Sequence, residues 1–141
     1  MSPVFMDTAP LIYLFEGQWA VRKIVRDRIA AWLDADVPLY SSVLTLAELL
    51  VPAQRAKKTG VIYRYKSALR ELLSAPLHSI DDAQAECASA LRAKYGFATP
   101  DALQLSCAMS LDCEIFYTND RHLRKCKDIE VVCVAETSLA S

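Results

Sequence analysis

The chain has 141 residues, of which 53% are hydrophobic, and its formal net charge is −1. A chain of this length can bury about 68–70% of the surface that its unfolded form exposes, so a core can form without disulfides or structural zinc. We therefore expect residues 1–141 to form a single domain. The near-zero charge excludes a general electrostatic attraction to nucleic acid, so a nucleic-acid enzyme with this sequence needs local positive charge or metal ions.

The predicted elements alternate between short apolar runs and longer segments with helical periodicity. In chain order, the predicted strands are 3–6, 37–41, 78–80, 114–118 and 129–134. The predicted helices are 9–15, 18–35, a helix from 42 that Pro52 breaks, 61–74, 83–95 and 99–110. Strands that alternate with helices favour an α/β fold, and we expect a three-layer sandwich whose mostly parallel central sheet is flanked by helices.

Several helix ends carry recognisable signals. Gly17 is expected to end the first helix, and Gly96 is a favourable residue immediately after the helix 83–95. Asp81 can cap the start of that helix. Thr99 is the expected N-cap of the next helix, with Pro100 as its first residue.

The cysteines and the hydropathy pattern indicate where the protein functions. The five cysteines are odd in number and contain no Cys-x-x-Cys pair, which disfavours a disulfide framework or a zinc site. A reducing cytoplasm is the simplest environment for such a chain. Because no run of about 18 apolar residues is present, we expect no contact with a membrane. The first seven residues also lack the features of a signal peptide.

Four acidic residues fall at predicted junctions between strands and helices, namely Asp7, Glu48, Asp101 and Asp120. Each has an ordinary structural interpretation, because acids stabilise helix N-termini, and Thr45 with Glu48 matches the spacing of a capping box. Capping does not explain, however, why all four would face one edge of the sheet. Carboxylates placed close together repel one another unless a cation is present, and Mg²⁺ prefers oxygen ligands. The pattern therefore indicates a site for Mg²⁺ or Mn²⁺.

The segments around these acids resemble the ordered motifs of PIN-domain nucleases. They are VFMDTAPLIY at 4–13, SSVLTLAEL at 41–49, LRAKYGFATPDALQL at 91–105 and IFYTNDRHL at 115–123. Each motif alone is weak, but the ordered set spans most of the chain and is specific. The short chain and the third motif resemble the VapC-type toxins of toxin–antitoxin modules. Ala9 departs from the pattern, because many relatives have Ser or Asn there.

The resemblance implies an acidic quartet of catalytic and metal-binding residues, Asp7, Glu48, Asp101 and Asp120, with Thr118 as a hydroxyl that lines the site. It implies an endoribonuclease that uses Mg²⁺ or Mn²⁺ and leaves a 5′-phosphate and a 3′-hydroxyl, with one or two metal ions. It also implies a homodimer and a cognate antitoxin partner. The apolar surface of the helix 61–73 and of residues 46–50 is in keeping with such packing.

Other functions and contacts stay open at this stage. A related DNA-directed or structure-specific nuclease is one alternative, and a non-catalytic PIN-like binding module is another. A phosphatase that begins with Asp-x-Asp is disfavoured, because Ala9 occupies the position of its second acid. The basic residues between 121 and 127 directly follow Asp120, and they are the best candidates for phosphate contacts. We expect the neighbouring His122 to be an ordinary surface residue.

Overall fold

In the computed structural model, which describes residues 2–135, parallel strands form a central sheet. The strands are β1 (Val4–Met6), β2 (Leu39–Tyr40), β3 (Ile115–Thr118) and β4 (Glu130–Cys133). Their order across the sheet is β2-β1-β3-β4, and every adjacent pair is parallel. Val4 is paired with Leu39 on one side and Ile115 on the other. The central strands are thus β1 and β3.

Helices connect these strands and cover the sheet. The α-helices are α1 (Thr8–Glu16), α2 (Trp19–Asp34), α3 (Val43–Leu49), α4 (Val51–Arg55), α5 (Thr59–Leu72), α6 (Asp82–Tyr95) and α7 (Thr99–Ser110). A short 3₁₀ helix, Arg121–Lys125, links β3 to β4. Pro52 lies in the first turn of α4, and this confirms the predicted break after α3, because proline disrupts a helix interior but suits a first turn.

The sheet separates two hydrophobic cores. Val4 and Met6 pack on one face of β1 with α1, α2, α3 and α5, whereas Phe5 packs on the other face with α6 and α7. This alternation follows from the two-residue period of a strand. On the second face the rings of Phe5 and Phe116 stack with centroids 5.5 Å apart. Two helical layers around a parallel sheet confirm the predicted three-layer α/β sandwich.

The observed helix ends test the capping residues that the sequence predicts. Asp81 forms a capping box with Gln84 at the start of α6, and Gly96 ends that helix with a φ of 76°, so both predictions are confirmed. The N-cap of α7 is Ala98 rather than Thr99, so that prediction was wrong by one residue, although Pro100 still lies in the first turn. The helix begins at Thr99, one residue earlier than predicted, so Thr99 is its first helical residue.

The predicted strand at 78–80 was wrong. His78 forms a single isolated bridge with Ser42, through Val43 N to His78 O and His78 N to Ser41 O. The pairing stops at this one bridge, so residues 78–80 do not extend into a ladder. The segment therefore forms hydrogen bonds with the residues at the start of α3 and adds no strand to the sheet.

Two further observations concern the cysteines and the length of the helices. Residues 2–135 include all five cysteines, and no disulfide bond joins any of them. Over the same range, none of the helices has the length and hydropathy needed to cross a membrane.

Candidate active site

The carboxyl ends of β1 and β3 lie side by side, and Asp7 is held where they meet. Its backbone N–H donates to the carbonyl of Tyr117 at 2.9 Å, which continues the pairing of the two strands. Asp7 Oδ1 accepts from the backbone N–H of Thr8 at 2.8 Å, and Oδ2 accepts from Thr118 Oγ1 at 2.7 Å. Both carboxylate oxygens are therefore oriented by donors from the ends of the two central strands.

Burial raises the pKa of Asp7, because an ionised carboxylate loses water solvation in this position. The hydrogen bonds from Thr118, from the Thr8 N–H and from Gln104 oppose that rise, since they stabilise the charged form. The charge of Glu48 adds a smaller contribution that raises the pKa further. Asp7 thus has hydrogen-bond donors that stabilise its charged form and a neighbouring negative charge that destabilises it.

Asp101 lies in the first turn of α7 and is partly buried. Desolvation raises its pKa to about 6, and the charges of Asp7, Asp120 and Glu48 contribute to the rise in that order. The side chain of His122 acts in the opposite direction. The other three predicted acids therefore lie close enough to Asp101 to disfavour its ionised form.

Glu48 and Asp120 lie at the edge of the site and are exposed. Glu48 Oε1 accepts from Thr8 Oγ1 at 2.7 Å. Asp120 Oδ1 accepts from the backbone N–H of His122 at 2.9 Å, and the Asp120 N–H donates to Thr118 Oγ1 at 3.2 Å. The Thr118 hydroxyl consequently contacts two of the acidic residues.

The helix-capping interpretation is confirmed for Asp7 and Asp120 but not for Thr45 and Glu48. Asp7 is the N-cap of α1 and Asp120 is the N-cap of the 3₁₀ helix, and each carboxylate accepts a backbone N–H there. The capping box proposed for Thr45 and Glu48 was wrong, because Ser42 caps α3 and Thr45 is buried inside that helix. Capping and membership of the cleft therefore coexist at Asp7 and Asp120.

A cleft of about 380 Å³ opens at this edge of the sheet. Its lining includes the five residues predicted from the sequence, Asp7, Glu48, Asp101, Thr118 and Asp120. Within residues 2–135, no group of three or more His, Cys, Asp or Glu side chains is arranged to hold a metal ion by itself. A hard divalent cation nevertheless fits the carboxylate donors, because Mg²⁺ commonly takes one or two carboxylates and completes its coordination with water and phosphate oxygens.

Sequence reasoning missed a group of buried polar residues behind the acids. Thr8, Ser41, Ser42, Thr45 and Gln104 have at most 7% of their surface exposed, and hydrogen bonds connect them to one another. One signal was available, since Gln104 follows Asp101 by three residues, and that spacing places both on one side of a helix. The other four residues are short hydroxyl side chains whose burial the sequence does not reveal.

The basic segment after Asp120 forms the 3₁₀ helix Arg121–Lys125, in which only Leu123 is buried. Arg121 and Lys125 are exposed, and Arg121 directly follows Asp120, which lines the acidic cleft. His122 is also exposed, and its ring packs edge-on against Phe97 with centroids 5.8 Å apart. The segment therefore presents positive charge next to the edge of the cleft.

Comparison with known proteins gives one family match and several structural matches. The PIN domain family model matches residues 4–129. A toxin–antitoxin complex from Klebsiella pneumoniae contains a chain that is 27% identical, with a TM-score of 0.72 over 94% of this chain and 98% of that one. Curated proteins gave no match by sequence.

Two further solved structures share the fold at lower identity. One is DNA-bound VapBC from Salmonella typhimurium, with 19% identity, a TM-score of 0.67, and coverage of 95% of this chain and 99% of that one. The other is FitAcB from Neisseria gonorrhoeae, with 20% identity, a TM-score of 0.73, and coverage of 94% and 98%. At these identities the similarity shows the fold alone.

Proposed function

This chain belongs to the PIN domain family, and we propose that it is a metal-dependent endoribonuclease that serves as the toxin of a type II toxin–antitoxin pair. The observation that carries this proposal is the convergence of Asp7, Glu48, Asp101 and Asp120 on one cleft, where the charges of the other three help to raise the pKa of Asp101 to about 6. Such crowding favours a cation at the site.

Asp7 and Asp101 are the proposed ligands of Mg²⁺ or Mn²⁺, and Glu48 and Asp120 complete the acidic edge. When bound, such an ion supplies neutralising charge beside a phosphate and makes a water molecule more acidic. Thr118 holds Asp7 Oδ2 at 2.7 Å, and this contact orients the carboxylate towards the cleft. The exposed basic residues of the segment that follows Asp120, including Arg121 and Lys125, are proposed to contact RNA phosphates.

The proposed protein partners are a second copy of the chain and an antitoxin. Val43 and Val51 are 40% and 39% exposed on α3 and α4, and a dimer interface would cover this apolar surface. The antitoxin proposal is supported by the 27% identical chain, which was solved in a toxin–antitoxin complex. An antitoxin would inhibit the nuclease by covering the cleft or its approach.

Cleavage of labelled structured RNA tests the proposed activity. We expect the wild-type protein to cut RNA with Mg²⁺ or Mn²⁺ but not with EDTA, and to leave 5′-phosphate ends. Asp7→Asn and Asp101→Asn should each abolish cleavage, because each removes a charge that the cation needs. Asp82→Asn is the matched control, since Asp82 is an exposed acid in the first turn of α6 and does not line the cleft.

The same assay distinguishes the alternatives. Single-stranded and duplex DNA of matched sequence are included, and faster cleavage of DNA than of RNA would indicate a DNA-directed nuclease instead. Mn²⁺ binding without cleavage of a broad RNA pool would indicate a non-catalytic binding module. Equal activity of the wild type and Asp101→Asn would remove Asp101 from the site.

A further inference from the structure

Gln104 is the residue with an amide side chain among the five buried polar residues behind the cleft. It is 1% exposed and lies one turn after Asp101 on α7. Its Oε1 accepts from Ser42 Oγ, and its Nε2 donates to Thr45 Oγ1 at 2.8 Å. Nε2 also lies 3.4 Å from Asp7 Oδ1. A buried amide is costly unless it is hydrogen-bonded, and these contacts satisfy both ends of the Gln104 amide.

The hydrogen bonds fix which end of the amide faces the acids. Ser42 Oγ accepts from the backbone N–H of Leu44 at 3.2 Å and donates its single proton to Gln104 Oε1. In this arrangement the carbonyl end of the amide faces Ser42. The NH₂ end must then face Thr45 and Asp7, where it donates.

The hydroxyl groups of Ser41 and Thr45 favour the same orientation of the Gln104 amide. Ser41 Oγ donates its only proton to the carbonyl of Met6 at 2.8 Å. The Ser41 and Thr45 hydroxyl oxygens are 2.8 Å apart, so the proton between them belongs to Thr45. The lone pairs of Thr45 consequently accept from Gln104 Nε2. Reversal of the amide would place a carbonyl oxygen against Thr45 and Asp7 and would remove both donations.

This network joins the three helices that carry or follow Asp7, Glu48 and Asp101. Gln104 shares α7 with Asp101, donates to Thr45 on α3, which carries Glu48, and reaches Asp7 at the start of α1. Thr8 adds a second connection, since its hydroxyl donates to Glu48 at 2.7 Å and lies 3.5 Å from Gln104 Nε2. Loss of the amide would therefore remove these hydrogen bonds between α7 and both other elements at the cleft.

We propose that Gln104 is a positioning residue that sets the separation of the carboxylates of Asp7, Glu48 and Asp101, and with it the affinity of the cleft for a divalent cation. This inference rests on the proposed function, because it assumes that the carboxylates bind a metal. It assigns Gln104 no contact with the metal or with RNA. Its effect is transmitted through the orientation of Asp7 and the docking of α7 against α3.

Titration of the metal-free protein with Mn²⁺ alone, measured by calorimetry, tests the proposal. Gln104→Met keeps the length of the side chain and removes the amide, and we expect the Kd for Mn²⁺ to rise about 10- to 100-fold, the range found when groups that orient metal ligands are removed. Gln84→Met is the matched control. Gln84 is a second buried glutamine with a hydrogen-bonded amide, to Ser110 at 3.0 Å, and it does not line the cleft.

Both glutamine variants should lower the midpoint of thermal unfolding, and only Gln104→Met should weaken Mn²⁺ binding. An unchanged Kd in folded Gln104→Met, or an equal loss in Gln84→Met, overturns the positioning role and leaves the proposed function intact. A wild-type protein that does not bind Mn²⁺ refutes the metal-dependent function together with this inference.

A second variant covers the case in which Gln104→Met does not fold. Ser42→Ala leaves Gln104 in place and removes the hydroxyl that both donates to its amide carbonyl and caps α3. We expect the Kd of this variant for Mn²⁺ to rise severalfold, in the same direction as for Gln104→Met. A Kd equal to that of the wild type would contradict the proposal.

Discussion

Replacement of Asp101 by Asn is expected to stabilise the metal-free protein above pH 6. The neighbouring acids and desolvation raise the pKa of Asp101 from 3.8 to about 6. Two pKa units correspond to about 3 kcal/mol between the two protonation states. Because water and salt screen a carboxyl group that borders an open cleft, we expect about half of this, ~1.5 kcal/mol, to appear in the free energy of unfolding.

One favourable interaction of Asp101 is lost in the same variant. An acid in the first turn of a helix stabilises the helix N-terminus by about 0.3–1 kcal/mol, and Asp101 occupies the first turn of α7. The expected net effect of Asp101→Asn is therefore a gain of ~1 kcal/mol at pH 8. The sign distinguishes the two interpretations, since an acid that only completes a helix terminus would give a loss.

The gain should depend on pH in a defined direction. The pKa of Asp101 is higher in the folded protein than in the unfolded chain, so folding favours its protonated form. The stability associated with that proton is present below pH 4 and is lost as the pH rises through about 6. The difference between Asp101→Asn and the wild type should consequently approach zero near pH 4 and reach its full value by pH 8.

Urea unfolding in EDTA at pH 4.5, 6 and 8, at one protein concentration, measures this difference. Asp82→Asn serves as the control, because Asp82 is exposed in the first turn of α6 and should lose only the helix-terminus interaction. An Asp101→Asn variant that is less stable than the wild type at pH 8 would refute the repulsion among the four acids.

Three further substitutions test separate parts of the structure. Thr118→Val removes the 2.7 Å donor to Asp7 and should reduce the rate of RNA cleavage about 10- to 100-fold, whereas Thr118→Ser should retain most of that rate. Equal rates for the two variants would show that the hydroxyl plays no part in cleavage. Leu105→Ala leaves a cavity under the sheet, since Leu105 is fully buried, and urea unfolding should show a loss of about 2–5 kcal/mol; a loss below 1 kcal/mol would contradict this packing. Gly17→Ala would place a Cβ atom 2.4 Å from the carbonyl oxygen of Tyr13, and we expect a loss of about 1–3 kcal/mol in the same measurement. An unchanged Gly17→Ala protein would show that the end of α1 can shift without cost.

The position of the acids could be predicted because it depends on local signals. The run before Asp7 and the run before Asp120 are apolar and short, so they predict buried strands, and residues that follow parallel strands meet at one edge of the sheet. Asp101 was placed by the proline in the first turn of its helix. Each signal lies within a few residues of the acid that it positions.

The support behind the acids could not be predicted in the same way. Gln104 and Thr45 are 59 residues apart, and their hydrogen bond exists only because the fold brings these two side chains together. Ser42 and Gln104 are separated by 62 residues and are likewise joined only by the fold. The incorrect capping box at Thr45 has the same origin, since the local spacing was satisfied while tertiary contacts placed that hydroxyl in the interior.

Helix capping and a place in the acidic cleft, which the sequence presents as alternatives, coexist at this end of the sheet. Asp7 and Asp120 each accept a backbone N–H at the start of a helix, and such donors favour the charged form of a carboxylate. Glu48 receives the hydroxyl of Thr8. Among residues 2–135, no hydrogen-bond donor contacts the carboxylate of Asp101, and its pKa rises to about 6. The four acids are therefore not equivalent: three accept hydrogen bonds from the chain itself, whereas the pKa of Asp101 is lowered by the charge of His122 but raised more strongly by desolvation and by the other three acids.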